Sequence, residues 1–66
     1  MRHAQRAKAM RHEVHLAMQV DEATRERWAH THQQTRNAFI DWVARPRLAG
    51  RRNRRLRVLP RLLAEH

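Results

Sequence analysis

Between Arg45 and Arg61 the chain places eight arginines, Arg45, Arg47, Arg51, Arg52, Arg54, Arg55, Arg57 and Arg61, with no acid among them. A guanidinium is a planar fork of donors that grips phosphate or carboxylate oxygens two at a time and stacks on flat rings, which a lysine ammonium does not do. Fourteen of the fifteen cations in this sequence are arginine. The run therefore points to phosphate-backbone binding. Arg2, Arg6, Lys8 and Arg11, near the other end and equally free of acids, make a second basic clamp.

The six histidines raise a different chemistry. His12 and His15 share a face if helical, and His30 and His32 share a face if extended, but neither pair has the thiolate or carboxylate that completes a metal set. HEVH at 12–15 is one residue short of the zinc-protease spacing. No metal site and no cofactor is expected, and the histidines read as solvated. Together they would carry the formal charge from +9 toward about +15 as the pH falls through the ordinary imidazole range. Catalysis finds no support: serine and cysteine are absent, no glycine loop cradles phosphate, and the acids form no working pair. The expectation is a chain that is not an enzyme.

Charge is distributed unevenly around these groups. Residues 1–12 carry +4, residues 13–44 carry −2 and residues 45–66 carry +7, with both tryptophans and the phenylalanine in the acidic middle. A chain of 66 residues forms at most one domain and buries only roughly 60% of its unfolded surface, so self-association or a partner is expected to supplement its stability. Lack of cysteine fits a reducing, cytoplasmic setting. No apolar run reaches the ~20 residues of a membrane span, and MRHAQRAKAM lacks the apolar stretch of a secretory signal.

The elements that must position the cations follow from periodicity and caps. Ala7, Met10, Val14 and Ala17 fall at helical spacing, whereas Val14, Leu16, Met18 and Val20 alternate as a half-buried strand would. Helix or irregular structure is favoured, because a lone strand would need an edge supplied by another chain. Asp21 is a good N-cap, with Glu22 and Glu26 in the first turns of the helix that follows. Trp28, His32, Thr35, Phe39 and Trp42 permit that helix to run to Ala44, while Thr31 to Gln34 resembles a capping box that would start a second helix. Phe39, Ile40, Trp42 and Val43 are the densest apolar cluster and the expected core. Pro46 marks a stop at Arg45, and Gly50 is read as a turn. Leu56, Leu59, Leu62 and Leu63 make a last helical stripe, kinked or restarted at Pro60, with the arginines facing outward.

Trp28, Arg36, Phe39, Ile40, Trp42, Val43, Arg52, Arg54, Arg55, Leu56 and Leu63 resemble, without a gap, the C-terminal helical region of the YdeI and OmpD-associated (OmdA, bacteriocin-protection) proteins. That resemblance implies a helical module linked to envelope stress and antimicrobial resistance, without a defined reaction. The chain also resembles ribbon-helix-helix DNA-binding proteins, with Val14 to Val20 as the ribbon and Thr35, Arg36 and Asn37 opening the second helix. This implies a dimeric DNA-binding regulator that aims His15, Ala17 and Gln19 into a major groove. A fainter likeness, through Arg36 and Asn37, is to the N-terminal edge of transposon-encoded RNA-guided nucleases, which would make the chain a fragment.

The expected molecule is mostly α: a small two- to three-helix domain, with a basic arm at 1–13, a helical core at 14–45, an Arg-rich turn and helix at 46–66, and a possible short strand at 14–20. Its expected partner is nucleic acid, RNA or DNA. The alternative is an acidic protein on which it docks as a subunit, and a homo-oligomer and no membrane are expected in either case.

Overall fold

A computed structural model describes residues 3–66. Four helices make up the fold: α1 (His3–Ala17), α2 (Glu22–Ala29), α3 (Gln33–Ala44) and α4 (Ala49–Glu65). They pack into a body of 33 × 22 × 18 Å. The chain is a small all-α domain, with one helix more than its sequence suggests. The additional helix is α1, which absorbs the supposed arm. Residues 3–13 continue into 14–17 without a break, and Ala7 and Met10 lie against the core.

The alternation at 14–20 does not produce a strand. Val14 and Met18, one helical turn apart, are both fully buried, while Leu16 and Val20 are exposed. A strand would have put all four on one face and needed a partner edge. The helix instead divides them, burying two within this chain, and closes with the Met18 amide donating to the Val14 carbonyl at 3.1 Å.

α2 begins where its capping chemistry dictates. Asp21 is extended, and its carboxylate accepts the Thr24 amide at 2.7 Å. The segment to Ala44 is two helices, not one. Thr31 does not cap the second, because its hydroxyl turns back to donate to the Arg27 carbonyl at 2.6 Å and closes α2. His32 takes the N-cap position, its Nδ1 accepting the Gln34 amide. α3 ends at Ala44 ahead of Pro46, although Arg45 itself keeps helical backbone angles.

The turn expected at Gly50 is overturned, and so is the restart that was one of the two alternatives at Pro60. Gly50 is no turn; it lies in the first turn of α4 with open space where a side chain would be. Pro60 neither ends nor restarts α4, which runs through it. The missing amide removes the usual donor to the Leu56 carbonyl, a cost of about 3 kcal/mol in an isolated helix. Leu59 and Leu63, buried on either side of the proline, hold the helix across it.

Val14, Met18, Trp28, Ile40, Val43, Leu59 and Leu63 form the core. α1 packs on α3, and α4 contacts each of the other three helices. Within the expected aromatic cluster, Ile40 and Val43 are interior, whereas Phe39 and Trp42 are only partly buried. The interior tryptophan is Trp28, 4% exposed, its ring tilted against Phe39 at 6.3 Å between centroids.

Two carboxylates connect the fold to pH. The Asp21 carboxyl is held below its ordinary value of 3.8 by the Thr24 amide first and the Thr24 side chain second. Asp41 is held below the same value by the His3 imidazole first and Arg45 second, Arg45 lying at 2.6 Å. Their stabilisation is complete above the unfolded value of 3.8 and is lost as pH falls through the lower folded values. The melting temperature is therefore expected to drop below about pH 4. The double substitution Asp21→Asn, Asp41→Asn should flatten that limb of a calorimetric pH series, and an identical drop in the variant would refute the assignment.

Candidate nucleic-acid interface

The C-terminal arginines divide into two sets with different work. At 100° per residue, Arg52 and Arg55 fall on the same face of α4 as Leu56, Leu59 and Leu63. They therefore point toward the body of the protein, not away from it. Arg55 donates to the Trp42 carbonyl at 2.8 Å and sits over the Trp42 ring at 4.6 Å from its centroid. Arg52 donates to the carbonyls of Pro46 and Arg47 at 2.7 and 2.8 Å. From α1, Arg6 donates to the Ala44 carbonyl at 2.8 Å.

These contacts share one cause. A helix leaves its last carbonyls without intrahelical donors, and the C-terminal end carries negative partial charge. Many helices close that end with a left-handed glycine or asparagine. Among the described residues no residue has positive φ. Arginines fill the role instead: Arg6, Arg52 and Arg55 clamp the end of α3 and the segment after it. Arg36 does the same for α2, donating to the carbonyls of Ala29 and Thr31 at 3.0 and 2.9 Å with its guanidinium beside the Trp28 ring.

The expectation that all the arginines face outward is thus corrected for Arg52 and Arg55, and Arg6 is likewise held by backbone. Helical periodicity carried the signal, because Arg52 and Arg55 continue the leucine stripe at spacings of three and four. Nothing in the sequence identifies the carbonyls that receive them, since those lie on another helix and its following loop.

Arg51, Arg54, Arg57 and Arg61 are exposed. Arg54, Arg57 and Arg61 fall within about 60° of arc opposite the leucine stripe, and Arg51 flanks them. At 1.5 Å per residue the row is about 15 Å long. Glu65, the last residue of α4 and its sole acid, lies beyond the end of the row. Arg47 is exposed in the preceding loop, whereas Arg45 is paired with Asp41. The row opposes folding in the absence of a counter-ion. Arg57 and Arg61 are one turn apart, as are Arg54 and Arg57, and like charges so placed destabilise a helix. No acid occupies the first turn of α4, where the dipole favours one. Its leucine stripe and backbone clamps hold α4 in place despite this.

Lys8 and Arg11 of the second basic clamp are exposed on α1. Arg2 lies outside the described residues. Arg6 has been turned to the Ala44 carbonyl, away from a shared surface with Lys8 and Arg11. Among the described residues no helix is long and apolar enough to cross a membrane. Searches for related proteins found no matching family model, no matching curated protein and no matching solved structure.

Proposed function

We propose that this chain is a small, non-catalytic nucleic-acid-binding module that grips phosphate backbone with the outward row of α4. The observation that carries this reading is the alignment of Arg51, Arg54, Arg57 and Arg61 along one solvent face of a single helix, with no acid between them. A polyanion laid along the row supplies the counter-charge that the helix lacks, so binding and the stability of α4 reinforce each other. Phosphate contacts set position and carry no sequence information, so affinity should be broad across sequences.

Four neutralised phosphates give a slope of log K against log salt of about −3.6 on duplex DNA and about −2.8 on a single strand. Arg47, exposed beside the row, extends the duplex value to about −4.5. Fluorescence anisotropy with a labelled 20-mer RNA and a duplex DNA, over a series of salt concentrations, measures it. A slope shallower than about −1, or no binding at low salt, rejects the reading.

One observation favours an acidic protein partner as a second reading. Leu16 and Val20, 56% and 65% exposed, line an open groove with Leu56 and Pro60, and Arg57 stands at its side. An apolar groove with a cation beside it suits a peptide carrying both apolar and acidic side chains. Binding through this groove would retain most of its affinity at high salt, which separates it from phosphate binding.

A further inference from the structure

A second basic surface lies between α1 and α3, on helices that do not carry the α4 row. Lys8, Arg11, His12 and His15 line an open groove of about 570 Å³ together with Gln33 and Arg36, over a floor of Trp28 and Ile40. No carboxylate lines it. The sole acid of α1, Glu13, has Ala9, Met10, Leu16 and Ala17 as its neighbours one turn away, so it reaches none of the four cations along the helix. The ion pairs found among the described residues, His3 with Asp41, Glu26 with His30 and Asp41 with Arg45, involve none of the groove's basic groups. Asp41 borders the adjoining stretch beside Lys8 and Arg11, where His3 and Arg45 already occupy it.

The spacing on α1 concentrates charge further. Lys8 and His12 are one turn apart, as are Arg11 and His15, so two pairs of basic groups stack along one wall without an intervening acid. Across the groove Arg36 is held from behind by the Ala29 and Thr31 carbonyls and by the Trp28 ring, which fixes its direction before any ligand arrives. A guanidinium held by backbone carbonyls, facing exposed basic side chains over an apolar floor, suits a compact anion with several acceptor oxygens. A phosphate group has more acceptors and more charge than a carboxylate for donors arranged on two walls.

We propose that the α1–α3 groove is a phosphate-binding site separate from the α4 row, held by Arg36 on one wall and by Lys8, Arg11, His12 and His15 on the other. It stands whether or not the α4 row binds nucleic acid. The phosphate has two sources with the same chemistry, a free phosphorylated anion or the 5′-terminal phosphate of a nucleic acid. His12 and His15 offer ring N–H donors beside the permanent charges of Lys8, Arg11 and Arg36.

The test is nuclear magnetic resonance on the full chain, following the rings of His12 and His15 and the side chain of Arg36. The probes are inorganic pyrophosphate and a short oligonucleotide with and without a 5′-phosphate, compared at one fixed pH. Saturable shifts at those three residues on addition of pyrophosphate are the expected result. Arg11→Gln with His15→Gln should abolish saturation, while loss of Arg54, Arg57 and Arg61 should leave it intact. Tighter binding of the 5′-phosphorylated oligonucleotide than of its 5′-hydroxyl twin assigns a nucleic-acid terminus as the source, and equal binding of the twins with tight pyrophosphate binding assigns a free anion. Shifts confined to α4, or shifts that never saturate, would overturn the proposal.

Discussion

Trp28→Ala is expected to unfold the domain, while Trp42→Ala leaves it folded and weakened. Trp28 is buried among Val14, Met18, Ile40 and the α4 leucines and is 4% exposed. Removing a buried tryptophan costs about 3–5 kcal/mol through lost transfer energy and the cavity left behind. Its tilted contact with Phe39 adds about 0.5–1.5 kcal/mol. A domain of this size has about 3–5 kcal/mol of stability to lose, so the variant should show little helical dichroism at room temperature. Trp42 is partly buried, and its ring is covered by the Arg55 guanidinium. Its removal forfeits part of the burial and about 0.5–1 kcal/mol of cation–π attraction, a total of about 2 kcal/mol. Urea titrations followed by dichroism compare the two. If Trp42→Ala proves the more damaging, the aromatic centre of the core lies at α3 and not at α2.

The two sets of α4 arginines should fail in opposite ways. Replacing Arg51, Arg54, Arg57 and Arg61 by glutamine removes the outward row without touching a backbone contact. Folded stability should be unchanged or slightly higher, because the like-charge repulsion is gone. Binding to nucleic acid should become almost independent of salt, whereas the unaltered chain loses about 100-fold in affinity between about 50 and 200 mM salt if four phosphates are engaged. Arg52→Gln with Arg55→Gln should do the reverse. It strips donors from the carbonyls of Trp42, Pro46 and Arg47, and takes the cation from the face of Trp42. The loss of stability should be about 2–3 kcal/mol, discounted for partial exposure, while the salt slope of the protein still folded is retained. Thermal melts and salt titrations on both variants separate the outcomes. An outward-row variant with an unchanged slope, or a clamp variant that is fully stable and binds weakly, would show that the two sets had been interchanged.

Local chemistry was legible where an element's cause lies within a few residues. The start of α2 followed from Asp21, whose carboxylate needs only the Thr24 amide to act as a cap. The end of α3 followed from Pro46, and the all-α class followed from helical spacing and the lack of a partner edge for a strand. The concentration of arginine after residue 45 was likewise plain. What these residues touch was not. Arg52 and Arg55 have the same side chain and much the same sequence neighbours as Arg51 and Arg54, yet one pair closes the end of another helix and the other faces water. The difference is the direction in which α4 is turned by Leu59 and Leu63.

Tertiary packing also decided each point on which local signals conflicted. Val14 to Val20 alternates as a strand does, but only a helix buries Val14 and Met18 within a single chain and leaves Leu16 and Val20 outside. Thr31 has the position of an N-cap, yet its hydroxyl serves the helix behind it. Gly50 and Pro60 are breakers by propensity, and both lie inside α4 because burial of its leucines outweighs the local cost. The sequence by itself determined where α2 starts, that Pro46 follows the end of a helix, and how much charge the chain carries. Which tryptophan is interior, and which arginines are spent on carbonyls and which face water, only the packing of four helices decided, because burial and hydrogen-bond partners belong to pairs of residues far apart in the chain.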